Sequence, residues 1–434
     1  MMMTNKHNSR SRGSSRTALT RTALTRTHIL MYAITLVMIS SCGPKPGPKD
    51  TTEAGKEVKP PGRIMDAGPR DSGASRSIYA LEMPRSIEPL KPFGMFKNNP
   101  GRTGASPYKG PQTTPEVVWT FNTSRRISAS PVIGPDGTVY IGSLDGTFNA
   151  LSPEGKLRWS YLSSEPFFSS VAVSRDNRVF SGNDDDTFMC FDRQGVMQWM
   201  VRMREDADSA PLITTDGEIL VGGDALHCIT AEGQVRFKVW IGSHVSSSPA
   251  IRPDGLIMAG SHDGRVYAVQ KDGTVKWVFA TGGPVVGGVM ALEDNSVVFG
   301  SNDGSIYRIG PAGAMKWRFR TKGSVRAVPS ITSDGTIIAG SRDSSLYGLE
   351  ADSGKLRWKV ETGGPIAGSA LVDSAGKAFF GSGDGFLYAV DTVDGSVLWK
   401  YNMGRDVDST PALAEDGTLY VACDDGSLYA LHEK

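Results

Sequence analysis

From residue 115 onward, apolar positions come in short runs, and the runs come in groups of four. The stretch "SSSPAIRPDGLIMAGSHDGRVYAVQKDGTVKWVFATGG" shows one group. "SSPAI" meets "LIMAGS" through Asp254-Gly255, "RVYAV" follows Asp263-Gly264, and "TVKWVFA" follows Asp272-Gly273. Asp-Gly between such runs predicts a tight hairpin turn, because glycine adopts positive φ without steric cost. The group therefore predicts four antiparallel strands, here lettered a (inner) to d (outer). Aligned on one aromatic position, the groups fall at Trp119, Trp159, Trp199, Phe237, Trp277, Trp317, Trp358 and Trp399, with gaps of 40, 40, 38, 40, 40, 41 and 41 residues. Four short strands at this period describe the blade of a β-propeller.

The pattern also assigns positions within a blade. "SASP", "DSAP", "SSSP" and "DSTP" open their units with small residues, as expected where innermost strands crowd the axis. The recurring aromatic falls on outer strand d, where a large ring is expected to pack between blades. "PEVVWTFNT" at 115–123 is a fourth strand without a blade, and "DSTPALAEDGTLYVACDDGSLYALHEK" is a blade without a fourth strand. Pairing them predicts an all-β, eight-bladed propeller of four-stranded antiparallel blades, monomeric, with its last blade closed by an N-terminal strand. That closure hides two sheet edges.

The region before the repeats has a different character. Residues 1–41 carry six Lys or Arg and no acid, then the apolar run "ILMYAITLVMIS" and "SSCG". The run is too short for a spanning helix of ~20 residues and reads as an export signal. Ile39-Ser40-Ser41-Cys42 resembles the bacterial lipobox, which implies cleavage of 1–41 and lipidation of Cys42. Residues 42–92 are rich in Pro and Gly, with too little apolar content to fold, and read as a tether. Residues 93–114 form a lead-in, and 115–434 form the propeller. From Cys42 onward there are 41 basic and 46 acidic residues, with no basic patch, so nucleic-acid binding is not expected.

"AVDTVDGSVLW" and "GLEADSGKLRW" resemble the tryptophan-docking motif of the pyrroloquinoline-quinone (PQQ) type propeller repeat, Ala-x-Asp-x-x-Thr-Gly-x-x-x-Trp. The lead-in "FGMFKNNPGRTGASPYKGP" is similar to the segment preceding such propellers in exported bacterial proteins. The resemblance implies an eight-bladed fold. It also brings in the PQQ-dependent dehydrogenases, whose propellers carry long insertions with Ca²⁺ ligands, a catalytic Asp and, in alcohol dehydrogenases, a disulfide of adjacent cysteines. Units of 38 to 41 residues leave no room for those insertions, and Cys190, Cys228 and Cys423 are not adjacent. The expectation is a protein without catalytic residues or cofactor. The same holds for metal, with His244 and His262 read as loop residues. The repeated turn residues Asp145, Asp185, Asp263, Asp303, Asp343, Asp384 and Asp425 read as structural, since catalytic pairs do not recur blade after blade.

Variation is concentrated on the face built by the d-to-a and b-to-c connections. Ser128, Phe168, Asp208, Ser246, Val286, Arg326, Ala367 and Asp408 occupy equivalent positions and are expected to ring the channel mouth. The connections before them carry Arg125, Arg126, Glu165, Arg204, Glu205, Asp206, Arg405 and Asp406 in blades 1, 2, 3 and 8, whereas blades 5 to 7 have "TGGPV", "TKGSV" and "TGGPI". Variable loops on a rigid scaffold point to recognition. With signal, lipid, short lead and eight blades, the architecture resembles the BamB-type lipoproteins of β-barrel assembly. That resemblance implies an outer-membrane-tethered scaffold for an envelope protein partner. The alternative is a cell-surface receptor binding a peptide, glycan or small molecule at the channel mouth.

Overall fold

The computed structural model describes residues 94–434, so the signal, Cys42 and the tether lie outside the described residues. Eight four-stranded sheets are present, each ordered a-b-c-d from axis to rim, and no helix occurs among the described residues. Seven sheets use consecutive strands, from Val132–Ile133 through Leu157–Leu162 in blade 1 to Leu371–Val372 through Val397–Asn402 in blade 7. The eighth joins Ala412–Leu413, Leu419–Ala422 and Ser427–His432 to the first strand of the fold, Glu116–Asn122. Trp119 stands opposite Ala430 in that pairing, and Ser427 opposite Asn122. The ring is thus closed by the two ends of the repeat region.

Every c–d pair shifts register once, just before the recurring aromatic, as between Ala150 and Leu151 or between Ala389 and Val390. Such bulges increase local twist and re-aim the side chain that follows. The ring then lies over the next blade's c–d turn. A Cβ on Gly155 or Gly195 would stand 2.5 Å from the indoles of Trp119 and Trp159, and both glycines have positive φ, so these positions admit no other residue without strain. Indole Nε1 donates across the seam to the carbonyls of Pro153, Arg193, Ala231, Pro311, Ala351 and Thr392. Trp399 donates to Pro111, in the lead-in. Six seams thus carry one indole hydrogen bond each, and the seventh indole ties the lead-in to blade 7.

A second device acts at the axis. Strand a has a free inner edge, and its small hydroxyl residues serve the backbone of the preceding blade. The Ser170 hydroxyl accepts from Ser130 N–H, Ser248 from Ala210, Ser369 from Val328, Thr410 from Ser369, and Ser130 from Thr410. Close approach alone therefore does not account for the Ser and Thr of strand a. They satisfy backbone donors that would otherwise be buried without a partner.

The lead-in crosses the mouth formed by the a–b turns. Carbonyls of Gly94, Pro100, Gly101, Thr103 and Gly104 accept from Val173, Ile251, Ala291, Ile331 and Val372, the ends of strand a in blades 2, 4, 5, 6 and 7. Two fully enclosed cations pin it there. Lys97 Nζ donates to Ser330 Oγ and to the carbonyls of Val328 and Ala370. Arg102, 0% exposed, donates to Phe96, Ala210, Pro211 and Pro249 carbonyls. Burial lowers Arg102 to about 9, and burial together with Arg102 holds Lys97 well below its ordinary value. A water-sized gap of about 20 Å³ remains beside blades 8 and 1.

Candidate functional site

The opposite mouth is built by two loops per blade that are laced together by backbone. In each "GSxDG" turn, the amide of the variable residue x donates to a carbonyl in the adjoining d–a connection: Leu144 to Arg126, Asp184 to Pro166, His262 to His244, Asn302 to Pro284, Arg342 to Ser324, Gly383 to Pro365 and Asp424 to Asp406. The invariant turn aspartates then act structurally. Asp263, Asp303, Asp343, Asp384 and Asp425 each accept from the tyrosine hydroxyl four residues on. Asp145 accepts instead from Thr147 and Ser124. These bonds hold the loops rigid and leave residue x facing the rim.

The rim charges separate into two groups. In blades 2 and 3, Asp184, Asp206 and Asp208 each bring one carboxylate oxygen within 4.8 Å of the others. Among the described residues, this is the group with the ligand types and spacing to hold a metal ion. His244 flanks it, with Nδ1 3.1 Å from Glu205 and Nε2 4.0 Å from Asp208. His262 reaches Ser246 Oγ at 2.8 Å and stacks edge-on with His244. Burial, the Asp208 carboxylate and the charges of Asp206 and Glu165 push Asp184 up to about 8. Burial, Asp208 and Asp186 also raise Asp206. Like charges this close cannot all ionise cheaply, so a proton is retained near neutrality. Two aromatic side chains of the d–a connections, Phe168 and Trp240, are exposed. Trp240 lies under the Arg204 guanidinium and the Lys238 ammonium, and Phe168 stands at the channel mouth.

The second group spans the closure. Asp424 lies 3.3 Å from Arg126, and burial together with the Asp408 charge raises its carboxyl. Burial and Asp406 raise Asp408, against Arg342 and Arg126. Elsewhere the candidate rim residues are dispersed. Arg125 donates to Leu144 O and Arg326 to Asn302 Oδ1. Sequence reasoning missed Asp184, Asp424 and Trp240. The signal for the first two was available, because they are the x residues of "GNDDD" and "ACDDG", where other blades carry Leu, His, Asn, Arg or Gly.

Blade 3 carries a further departure. Its b–c loop is two residues shorter, and the Tyr–Asp pair is replaced by buried His227 and Asp224, 2.8 Å apart, with Lys238 on the other oxygen. Burial lowers His227 despite its carboxylate partner.

A family model described as outer membrane protein assembly factor BamB matches residues 111–237 and 342–434, just over half of the sequence. The chain belongs to this PQQ-repeat family. A model of the lambda-carrageenase β-propeller domain matches 256–364. No curated protein matches the chain. Among solved structures, BamB from Moraxella catarrhalis is 14% identical with a TM-score of 0.62, covering 73% of this chain and 99% of that one. A europium-containing methanol dehydrogenase is 14% identical, with a TM-score of 0.66 and coverage of 79% and 99%. Quinohemoprotein alcohol dehydrogenase from Comamonas testosteroni is 14% identical, with a TM-score of 0.66 and coverage of 78% and 80%. At this identity the likeness is one of fold, which hosts both assembly factors and enzymes.

Proposed function

We propose that this chain is an exported, lipid-anchored scaffold of the bacterial envelope whose d–a face binds a protein partner with a basic surface, in outer-membrane protein assembly or a related process. The observation that carries the reading is the inequality of the two mouths. The a–b mouth is filled by the chain's own lead-in. The d–a mouth presents clustered carboxylates and the exposed aromatic residues Phe168 and Trp240. Exposed aromatic residues are enriched at protein-binding surfaces, and clustered carboxylates select a partner of complementary charge. Family membership supports the envelope setting, and the lipobox-like segment at Cys42 supports the anchor. The first described residues, in the lead-in, lie on the a–b side, opposite the d–a face.

The test is recovery of partners from detergent-solubilised membranes with the tagged full chain. Wild type is expected to recover outer-membrane assembly subunits, and Asp206→Asn/Asp208→Asn to recover far less. Equal recovery by both, or recovery of no envelope protein, overturns the reading. Metabolic labelling with palmitate, lost in Cys42→Ala, checks the anchor separately.

A further inference from the structure

Seven blades tie the b–c turn to the d–a connection before it through the amide of residue x, and blade 3 does not. Its turn is shorter, and the Gly223 amide bonds back to Ala225 O at 3.1 Å. The turn still lies against the connection that carries Glu205 and Asp206, since a Cβ on Gly223 would stand 3.4 Å from Asp206 O and 3.6 Å from Glu205 O. Contact without that bond leaves the turn to be anchored by Asp224.

Asp224 anchors it through two partners in the same blade. One oxygen meets His227 Nε2 at 2.8 Å, and the other accepts from Lys238 Nζ. A carboxylate only accepts, so Nε2 carries the imidazole proton and Nδ1 is a bare acceptor. Nδ1 is buried without a partner, and His227 as a whole is 2% exposed. A second proton on this ring places a charged N–H where nothing accepts it. The groups acting on the ring's charge are Asp224 from its own turn and Lys238 from strand d, while strand b sets Val221 opposite it. Burial outweighs the carboxylate and keeps His227 below its ordinary value. Burial raises Asp224, but the bonds from Lys238 and His227 hold it below the usual carboxylate range, so it stays ionised in mild acid. Lys238 continues the path outwards, 4.6 Å from the centre of the exposed Trp240 ring, which Arg204 also covers.

At the same point five other blades brace the turn aspartate with a tyrosine hydroxyl, and burial raises each of those tyrosines above its ordinary value. The remaining two use Thr147 and Thr187. Blade 3 alone braces its turn with an imidazole.

We propose that His227 is a proton-operated latch, whose protonation opens the 223–226 turn and releases the Lys238 and Trp240 side of the d–a rim. The proton goes to Nδ1, the charged ring leaves its buried place for water, and the turn loses its anchor. The device is internal to blade 3 and independent of which partner the rim binds.

The test is hydrogen exchange of the full chain in detergent, read by mass spectrometry and corrected for the intrinsic pH dependence of exchange. Peptides covering 222–229 are compared with the Tyr307-braced turn at 300–307. An open turn whose imidazole titrates near 6.5 gains up to ~30-fold in population between pH 7.5 and 5.0, so wild type is expected to lose about tenfold protection at 222–229 and none at 300–307. His227→Gln keeps a side-chain N–H for Asp224 without a titrating ring, and is expected to remove the difference. Asp184 and Asp206 are unchanged in this variant, so the comparison reports the imidazole alone. Should the variant fail to fold, the wild-type ring decides: its NMR signals must titrate with a midpoint below about 6.5, in step with the loss of protection. No loss at 222–229, equal loss at both turns, the same loss in His227→Gln, or a ring that titrates out of step overturns the proposal.

Discussion

The two mouths of the channel are made from the same repeat, yet their polar groups are treated in opposite ways. At the a–b mouth the free edges of strand a are taken up by one segment, and its buried cations are fully engaged with carbonyls. At the d–a mouth, carboxylates are pushed against one another. Five of the nine buried side-chain polar atoms that lack a partner among the described residues lie on that face: Ser128 Oγ and a carboxylate oxygen each of Asp184, Asp208, Asp343 and Asp424. Unsatisfied groups cost stability, and a fold keeps them where function needs them. One mouth is thus closed by the chain itself, whereas the other leaves its carboxylates crowded against one another.

That contrast breaks most readily at Arg102. Arg102→Ala leaves carbonyls of blades 3 and 4 and of the lead-in without a donor, and is expected to cost about 3 kcal/mol in denaturant unfolding, with early proteolysis of the lead-in. If the loss is below about 1 kcal/mol, the segment is a passive cover and the contrast fails. Next in size is Ser130→Ala, which removes the acceptor for Thr410 N–H at the closure. It should cost about 1 kcal/mol.

Asp184→Asn acts on the other mouth and has its signature in pH. A carboxyl raised to about 8 holds a proton in the folded state that the unfolded chain releases near pH 4. Stability is therefore greatest below the unfolded value and falls as pH rises from about 4 towards 8. The asparagine variant is expected to flatten that fall in melting temperature measured across the same window. An unchanged slope means that the carboxylates are solvated and the mouth is not charge-crowded. The smallest effect is expected on the Gly/Pro-built side. Lys322→Ala should change stability by no more than about 0.5 kcal/mol and leave partner recovery as in wild type. A clear loss of recovery places the binding surface on blades 5 to 7 instead.

Much of the fold was legible in the residues, because a repeat samples the same physics eight times. The Asp-Gly turns, the alternating runs and the aromatic period specified blade and count, and the orphan strand at 115–123 specified the closure. The site was legible only in part. Rim residues on d–a connections stood out by contrast with their neighbours, but Asp184 and Asp424 sit inside a repeated turn and were masked by the structural aspartate beside them. Trp240 carries no repeat signal at all. Phe237 registered as a tolerated variant of the aromatic position.

The sequence by itself determined the local elements and their order, since turn chemistry, side-chain period and the small residues of strand a depend on near neighbours along the chain. Tertiary structure decided everything that rests on which blades meet across the ring. The lead-in with Lys97 and Arg102 became a closure of one mouth, and residues 184, 206 and 208 became one carboxylate group. Each of these depends on distances between residues far apart in the chain, and burial and charge energies are set by those distances.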